Sequence, residues 1–502
     1  LIGDPLHWTV LAVMGPLVGA LVSLQGRPVA IRLGLLLGAL SSAGAAVVLW
    51  AAVSSAGPLA YPLAGWNAPL GIELRADGFA VVMLAITALV GAVISLYATA
   101  YFGDISYLES RESPAGRAAR YFAPLWLMIW AALNGIYLSG DLFNLYVLIE
   151  ILGLSAAALV TLAVTSKATV AGMRYLFVSL LGSLFFLLGV VLLYVAGGTL
   201  SFTALSEAGL EGALPIAALS LMTIGLAAKT ALFPLHGWLP PAHAAAPAPG
   251  SAVLSALVVK GSFYIIVRLW VDLFGGGTPE ALLVLGLLGA AAVLWGSVLA
   301  LRQRSLKRLI AYSTVAQLGY LFVMFPLLFG EGGAWSADAW AGGIYHALSH
   351  AAAKAAMFLA AGSMTYAVAR DDLRAISGIA HHHPMTFFAF GLGGMSLAGI
   401  PPSGGFLAKW LLLRAAVAEG GWGWAFLIVV GGLLTLAYVL MVLRYALDRS
   451  DTPESFRPVP RRMEWAAMLL ALTAVALGVR ATEILNLLAV GAGGMAVGAG
   501  GP

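Results

Sequence analysis

Long apolar runs, separated by short polar or Gly/Pro-rich stretches, repeat along almost the whole chain. A run of roughly 20 residues crosses about 30 Å of hydrocarbon as a helix. Such runs fall near 8–24, 30–56, 77–103, 121–139, 142–163, 172–197, 213–232, 249–271, 279–301, 308–330, 339–369, 385–416, 423–447 and 463–480. The pattern predicts about fourteen membrane-spanning helices. Residues 57–76 alternate in character and are punctuated by Pro, Gly and aromatics, which predicts a short hairpin on one membrane face. The tail 481–502 is apolar but Gly-rich and falls short of a span.

Composition agrees with an all-α polytopic membrane protein. Only 10% of the 502 residues are charged and 61% are hydrophobic, with a mean hydropathy of +0.96, whereas a soluble domain carries about 25% charged residues. The 60 glycines suit close helix–helix approach in lipid. With no Cys, the chain forms no disulfide, ligates no iron–sulfur cluster through thiolates and performs no thiol catalysis. No basic region precedes the first apolar stretch, so it reads as a span and not as a signal peptide.

The net charge of +4 matters less than where the charges lie. Eighteen of the 26 lysines and arginines fall in loops after odd-numbered spans, and only Arg75, Arg268, Arg414 and Arg480 lie on the other side. The positive-inside rule then makes the loops after odd-numbered spans cytoplasmic and puts both termini outside the plasma membrane. The remaining four basic residues, Lys229, Lys260, Lys354 and Lys409, sit inside spans. Of the 22 acids, only Glu150 lies deep in a span, nine residues from its start. A charge at the bilayer centre costs roughly 2.5–3.5 kcal/mol on insertion scales, so it is rarely kept without a role.

Two spans contain breaks. In the seventh, Pro234, Pro240 and Pro241 follow Lys229; in the twelfth, Pro401, Pro402, Gly404 and Gly405 precede Lys409. Proline removes a backbone donor and clashes with the preceding turn. Broken backbone at membrane depth must be buried in protein or line a hydrated cavity. A matched pair of broken spans points to an inverted-repeat transporter. Spans 4–8 (121–275) and 9–13 (276–447) are the expected repeats, preceded by 1–120 (spans 1–3 and the hairpin) and followed by 448–502 (span 14 and the tail).

The eleventh span places His346, His350 and Lys354 on one helix face, at i, i+4 and i+8. Imidazole titrates near neutral pH, so this stripe reads as a proton path; a zinc site is a weaker reading, since no carboxylate or Cys accompanies it. At about 1.5 Å per residue the span is too long to cross upright, which predicts a tilt or a local break near these residues. Lys307, at a basic span entry, is a candidate cytoplasmic proton entrance. A lysine near a carboxylate keeps its proton, whereas one isolated in apolar surroundings gives it up more readily. A moving Glu150 could thereby load and unload Lys229. His381, His382 and His383 read as a solvated loop, not as a metal site. No phosphate loop, dinucleotide fingerprint or nucleophile constellation is present, so neither cofactor nor metal is expected.

The stretches Asp141-LFNLYVLIE, Lys229-TALFPLHGWLP, Lys307-RLIAYSTVAQLGY, His346-ALSHAAAKAAMF and Gly399-IPPSGGFLAKW resemble the antiporter-like membrane subunits. That family holds the large subunits of Mrp-type cation/proton antiporters and the pumping membrane subunits of complex I and membrane-bound hydrogenases. The resemblance covers about residues 75–447. It implies fourteen helices with two inverted five-helix repeats and a relay running from Glu150 and its partner Lys229 through Lys260. From there it continues through His346, His350 and Lys354 to an exit-side Lys409. The run AHAAAPAPGSAVLSALVVKGSFY after span 7 looks more like the D-type antiporter subunit and its hydrogenase relatives than like complex I subunits. With span 14 as the last predicted span, the lateral helix of the distal complex I subunit is not expected. What this implies is a proton-translocating subunit of a multi-subunit antiporter exchanging protons for Na+ or another cation. Its expected partners are the other membrane subunits, the ions and the lipid bilayer, with no nucleic acid. A pumping subunit of a redox complex and a non-transporting scaffold are the alternatives.

Overall fold

The computed structural model describes residues 4–66, 71–108, 113–330, 333–448 and 456–490. Among these, thirteen helical stretches are long and apolar enough to cross a membrane, and a further span is divided into two fifteen-residue halves. The helices are α1 (Pro5–Ser23), α2 (Pro28–Ala56), α3 (Gly78–Leu108), α4 (Pro114–Leu138), α5 (Leu142–Thr161), α6 (Ser166–Gly197), α7 (Phe202–Ala208), α8 (Ala213–Thr230), α9 (Leu239–Ala245) and α10 (Ala248–Val253). They continue as α11 (Val259–Val267), α12 (Pro279–Leu301), α13 (Leu306–Val323), α14 (Ala337–Val368), α15 (Ile379–His382), α16 (Pro384–Ala398), α17 (Gly404–Ala418), α18 (Trp422–Leu447), α19 (Arg461–Val479) and α20 (Thr482–Ala489). Between α2 and α3, strands β1 (Leu59–Pro62) and β2 (Glu73–Ala76) pair antiparallel, Leu59 opposite Ala76.

Local sequence sets the helix starts. Asp4, Ser113, Asp141, Thr165, Thr278, Ser305, Ser336 and Ser403 each accept a backbone N–H of the first turn through the side chain. In α1, α4 and α12 a proline follows the cap, where its missing N–H is harmless. The two breaks have different chemistry. After α8 the chain turns left-handed at Ala231 (φ 59°), and Trp238 Nε1 donates to the Ala228 carbonyl at 2.9 Å. Between α16 and α17, Gly399 adopts φ 87° and Pro401–Pro402 carry the chain to the Ser403 cap.

Gly404 and Gly405 do not take part in the second break, contrary to the sequence reading. They are the first residues of α17, and their role is close approach: a Cβ on Gly404 would stand 2.8 Å from Leu477 Cβ. Helix α14 shows no break either. It is continuous for 32 residues, which leaves tilt as the way to fit its roughly 48 Å length.

Burial sorts the helices into layers. α13, α14 and the stretch from α10 through α11 are buried all round, whereas α2, α6, α12 and α18 bury one stripe and expose large apolar residues on the other. On α6 the exposed face runs through Phe177, Leu181, Leu184, Leu188 and Val195. Its opposite face meets α8 at a glycine contact, where a Cβ on Gly182 would lie 2.6 Å from the Gly225 carbonyl. Gly182→Val is therefore expected to push α6 off α8 and to cost about 1–3 kcal/mol of stability. Thermal unfolding of the purified protein checks this, and an unchanged midpoint would refute the close-packing argument.

Candidate functional site

Glu150 projects from α5 toward the last turn of α8, and its Oε1 lies 4.0 Å from Lys229 Nζ. That oxygen is buried and receives no hydrogen bond from the described residues. The ammonium is held elsewhere: it donates to Ser179 Oγ of α6 at 2.7 Å and to the Ile149 carbonyl at 3.4 Å. The pair is an ion pair at its outer limit, with the base anchored and the acid loose. A cavity of about 10 Å³ beside Lys229 is lined by Tyr175, Ser179, Val258 and Ser262. Beside it, Thr230 Oγ1 donates to Ser262 Oγ at 2.8 Å, joining α8 to α11.

The other buried bases form a second group, linked partly by hydrogen bonds and partly by ring contacts. Leu254–Val258, between α10 and α11, is a single π-helical stretch. Such a bulge leaves carbonyls out of the regular ladder. Lys260 uses one of them, donating to the Ser255 carbonyl at 2.9 Å, and its Nζ is 2.5 Å from His350 Nδ1 on α14. Ser255 Oγ lies 2.8 Å from Thr314 Oγ1 of α13, which donates to the Ile310 carbonyl at 3.0 Å. Lys354 donates to that same carbonyl at 3.1 Å and to Ser313 Oγ. One turn earlier on α14, the His346 ring lies 6.1 Å from that of His350, and its Nε2 is 3.2 Å from the Gln317 carbonyl.

At the far end, Lys409 reaches back from α17 to the last carbonyls of α16, Leu397 at 2.7 Å and Ala398 at 3.4 Å. These are the acceptors a helix C-terminus leaves unpaired, at its negative pole. The ammonium also lies 4.4 Å over the Tyr320 ring, which is 5.3 Å from the His346 ring. The break around Pro401 and Pro402 thus creates the lysine's cradle. Pro234 marks the turn after α8, past Lys229, so that lysine looks to α5 and α6 and not to its own break.

Lys307, at the start of α13, donates to the Ala246 carbonyl and to that of Ala244 at 3.4 Å, close to the C-terminal end of α9. Its backbone N–H donates to Asp371 at 3.0 Å. Asp371 is thus a cap for α13 and not simply a solvated residue. Among the described residues no group of three or more His, Asp and Glu side chains is placed to hold a metal ion. His383 Nδ1 lies 3.4 Å from Glu464, and the His382 ring packs 4.6 Å from that of Phe456.

The family model for "NADH:quinone oxidoreductase/Mrp antiporter, TM" matches residues 139–435, a stretch that holds Glu150 and the buried lysines from Lys229 to Lys409. The chain belongs to this family. The N-type subunit of NADH-quinone oxidoreductase from Desulforudis audaxviator is 35% identical, covering 88% of each chain. The D-type subunit of a Na+/H+ antiporter from Alkalihalophilus pseudofirmus is 31% identical over 76% of this chain and 75% of its own. In the Mrp complex from a Dietzia species, one chain superposes with a TM-score of 0.86 at 27% identity, over 98% of this chain and 97% of that one. This member of the NADH:quinone oxidoreductase/Mrp antiporter family is a multi-pass, almost entirely helical membrane protein.

In this family member the structure brings Lys260, His346, His350, Lys354 and Lys409 into one group and leaves Glu150 with Lys229 as a separate pair. Several participants escape the sequence reading. Ser179, Ser255, Thr314, Gln317 and Tyr320 are common residues whose roles depend on which helix they face. His243 is also missing from that reading: it is 1% exposed, stacks 5.2 Å from the Phe358 ring, and neither ring nitrogen has a hydrogen-bond partner among the described residues. Its sequence signal is a histidine within the broken seventh span.

Proposed function

We propose that this chain is the proton-translocating subunit of a multi-subunit, Mrp-type cation/proton antiporter, with Na+ as the coupling cation. The observation that carries the reading is the line of buried lysines and histidines from Lys354 through Lys260 and His350 toward Lys409. Each is held by carbonyls, hydroxyls or rings, with no carboxylate. Bases held this way can gain and lose a proton without dismantling an ion pair. Glu150 acts as the switch: its carboxylate, moving toward or away from the anchored Lys229, sets whether that ammonium keeps its proton. Lys307 stands at the cytoplasmic entrance and Lys409 at the exit. The two broken spans support inverted repeats at 121–275 and 276–447, and the basic loops support external termini in a plasma membrane. The D-type antiporter relative supports partner membrane subunits in one complex.

A second reading, a pumping subunit of a redox complex, is favoured by the 35% identity to a component of NADH-quinone oxidoreductase. The test uses inverted membrane vesicles carrying the chain with its co-expressed partner subunits. Adding Na+ is expected to collapse a pre-formed pH gradient, and Glu150→Gln or Lys409→Ala to abolish that response with assembly intact. Unchanged exchange in both variants would overturn the relay. Acidification that depends on quinone and reductant, with no response to Na+, would transfer it to the redox reading.

A further inference from the structure

A cavity of about 440 Å³ opens between α2, α3, α4 and the α1–α2 turn, remote from the relay. Its inner wall is apolar, with Leu35, Phe102 and Phe122 buried at 5%, 7% and 2% exposure. Its rim carries two arginines, Arg32 and Arg120. Neither forms an ion pair with a carboxylate among the described residues. Arg120 is exposed and lies 5.5 Å from the centre of the Tyr121 ring; it passes close to Gly26, where a Cβ would stand 3.0 Å from Arg120 Cδ, and Gly26 has φ +66°, which glycine tolerates. The cavity lies at the start of α2 and α4 and the end of α3, on the side of the loops that hold most of the basic residues. From its mouth α2 continues with Leu33, Leu36, Leu37 and Leu40 exposed.

We propose that this cavity binds the headgroup of an anionic phospholipid. The phosphate meets Arg32 and Arg120 at the rim, and the first acyl methylenes lie on the apolar wall. The volume falls within the roughly 300–1,000 Å³ of small-molecule sites. Basic pockets between membrane helices on the positively charged face suit such headgroups. An apolar wall beneath two guanidiniums that have no carboxylate partner among the described residues suits a ligand with a phosphate at one end and a hydrocarbon at the other. A free anion would leave the wall unoccupied, and a hydrophobic helix would leave the arginines unpaired. The assignment does not depend on the transport reading.

The test measures lipid retained by the purified, assembled complex after detergent exchange, by native mass spectrometry, with phosphatidylglycerol and phosphatidylcholine as probes. The parent is expected to retain phosphatidylglycerol selectively. The double variant R32Q/R120Q is expected to bind it on the order of 20–30-fold more weakly, from roughly fivefold per arginine. Ala119→Trp, which fills the cavity and keeps both arginines, is expected to lose it as well. Equal retention in parent and both variants would overturn the site. So would displacement of the lipid by excess inorganic phosphate. The chain has no native Cys, so Ala119→Cys can be cross-linked unambiguously. A cross-link to a neighbouring protein chain at this position would give the cavity to a protein partner and end the proposal.

Discussion

Lys260→Met is expected to slow proton translocation by about 10²-fold or more while leaving the protein at least as stable as its parent. Lys260 is 1% exposed, and its ammonium bridges the π-helical stretch before α11 and the histidine stripe of α14. Methionine keeps the length and shape of the stem and removes only the titratable amine. The loss leaves two acceptors short of a donor, Ser255 O and His350 Nδ1, at about 1–3 kcal/mol each at most. Against that, a buried cation with no counter-ion is gone, and removing such a charge relieves desolvation. A scaffold role predicts the same stability change but no transport change. Lys260→Arg separates charge from proton transfer, because guanidinium keeps its proton throughout the accessible pH range. It is expected to stay as inactive as the methionine variant. Gradient-collapse rates in vesicles and unfolding midpoints of the same preparations decide the matter. Near-parent transport in either variant would remove Lys260 from the path.

The spans are legible in the sequence because hydrocarbon leaves a chain few options: twenty apolar residues and a polar punctuation mark state a helix and its ends. The buried charges are legible for the same reason, since Glu150 and the four lysines stand out against an apolar background. Their partners are not. Nothing in the run Ser251–Lys260 announces a π-helical stretch, yet that stretch supplies the carbonyl Lys260 uses. Gln317 is one polar residue in the interior of α13, and only the fold turns its backbone carbonyl to His346 and its side-chain amide to Thr435 at 3.0 Å. Proline marks both breaks correctly, but the need that Gly404 and Gly405 meet is space and not a flexible backbone. The sequence puts Arg268 and Asp272 at a span end, which hides their most consequential property, burial among other charges.

Arg268→Leu is accordingly expected to destabilise the protein by about 3–5 kcal/mol. The guanidinium donates to Asp77 at 2.5 Å and to Asp272 at 2.7 Å, with its side chain only 12% exposed. It also donates to Tyr264 Oη at 2.7 Å and lies 5.1 Å from the centre of the Phe79 ring. Tyr264 in turn donates to the Tyr137 carbonyl at 2.7 Å, so one side chain joins the start of α3, the end of α4 and the stretch after α11. Asp77 is committed as well, accepting the Ala80 N–H at 3.0 Å as the cap of α3. Leucine would fill much of the space but leave the buried Asp77 and the half-buried Asp272 with only Arg75 nearby among the described residues, 4.0 Å from Asp77. The cost is therefore the orphaned acids and not the lost packing. The triple variant D77N/R268L/D272N is expected to recover most of the stability, since Asn still caps a helix and neither side chain is then charged. Arg268→Lys is expected to recover little, because one ammonium cannot reproduce a planar fork that spans two acids and a phenol. Thermal unfolding of the four proteins in one detergent measures this. A triple variant no more stable than R268L would show that packing, and not uncompensated charge, makes Arg268 indispensable.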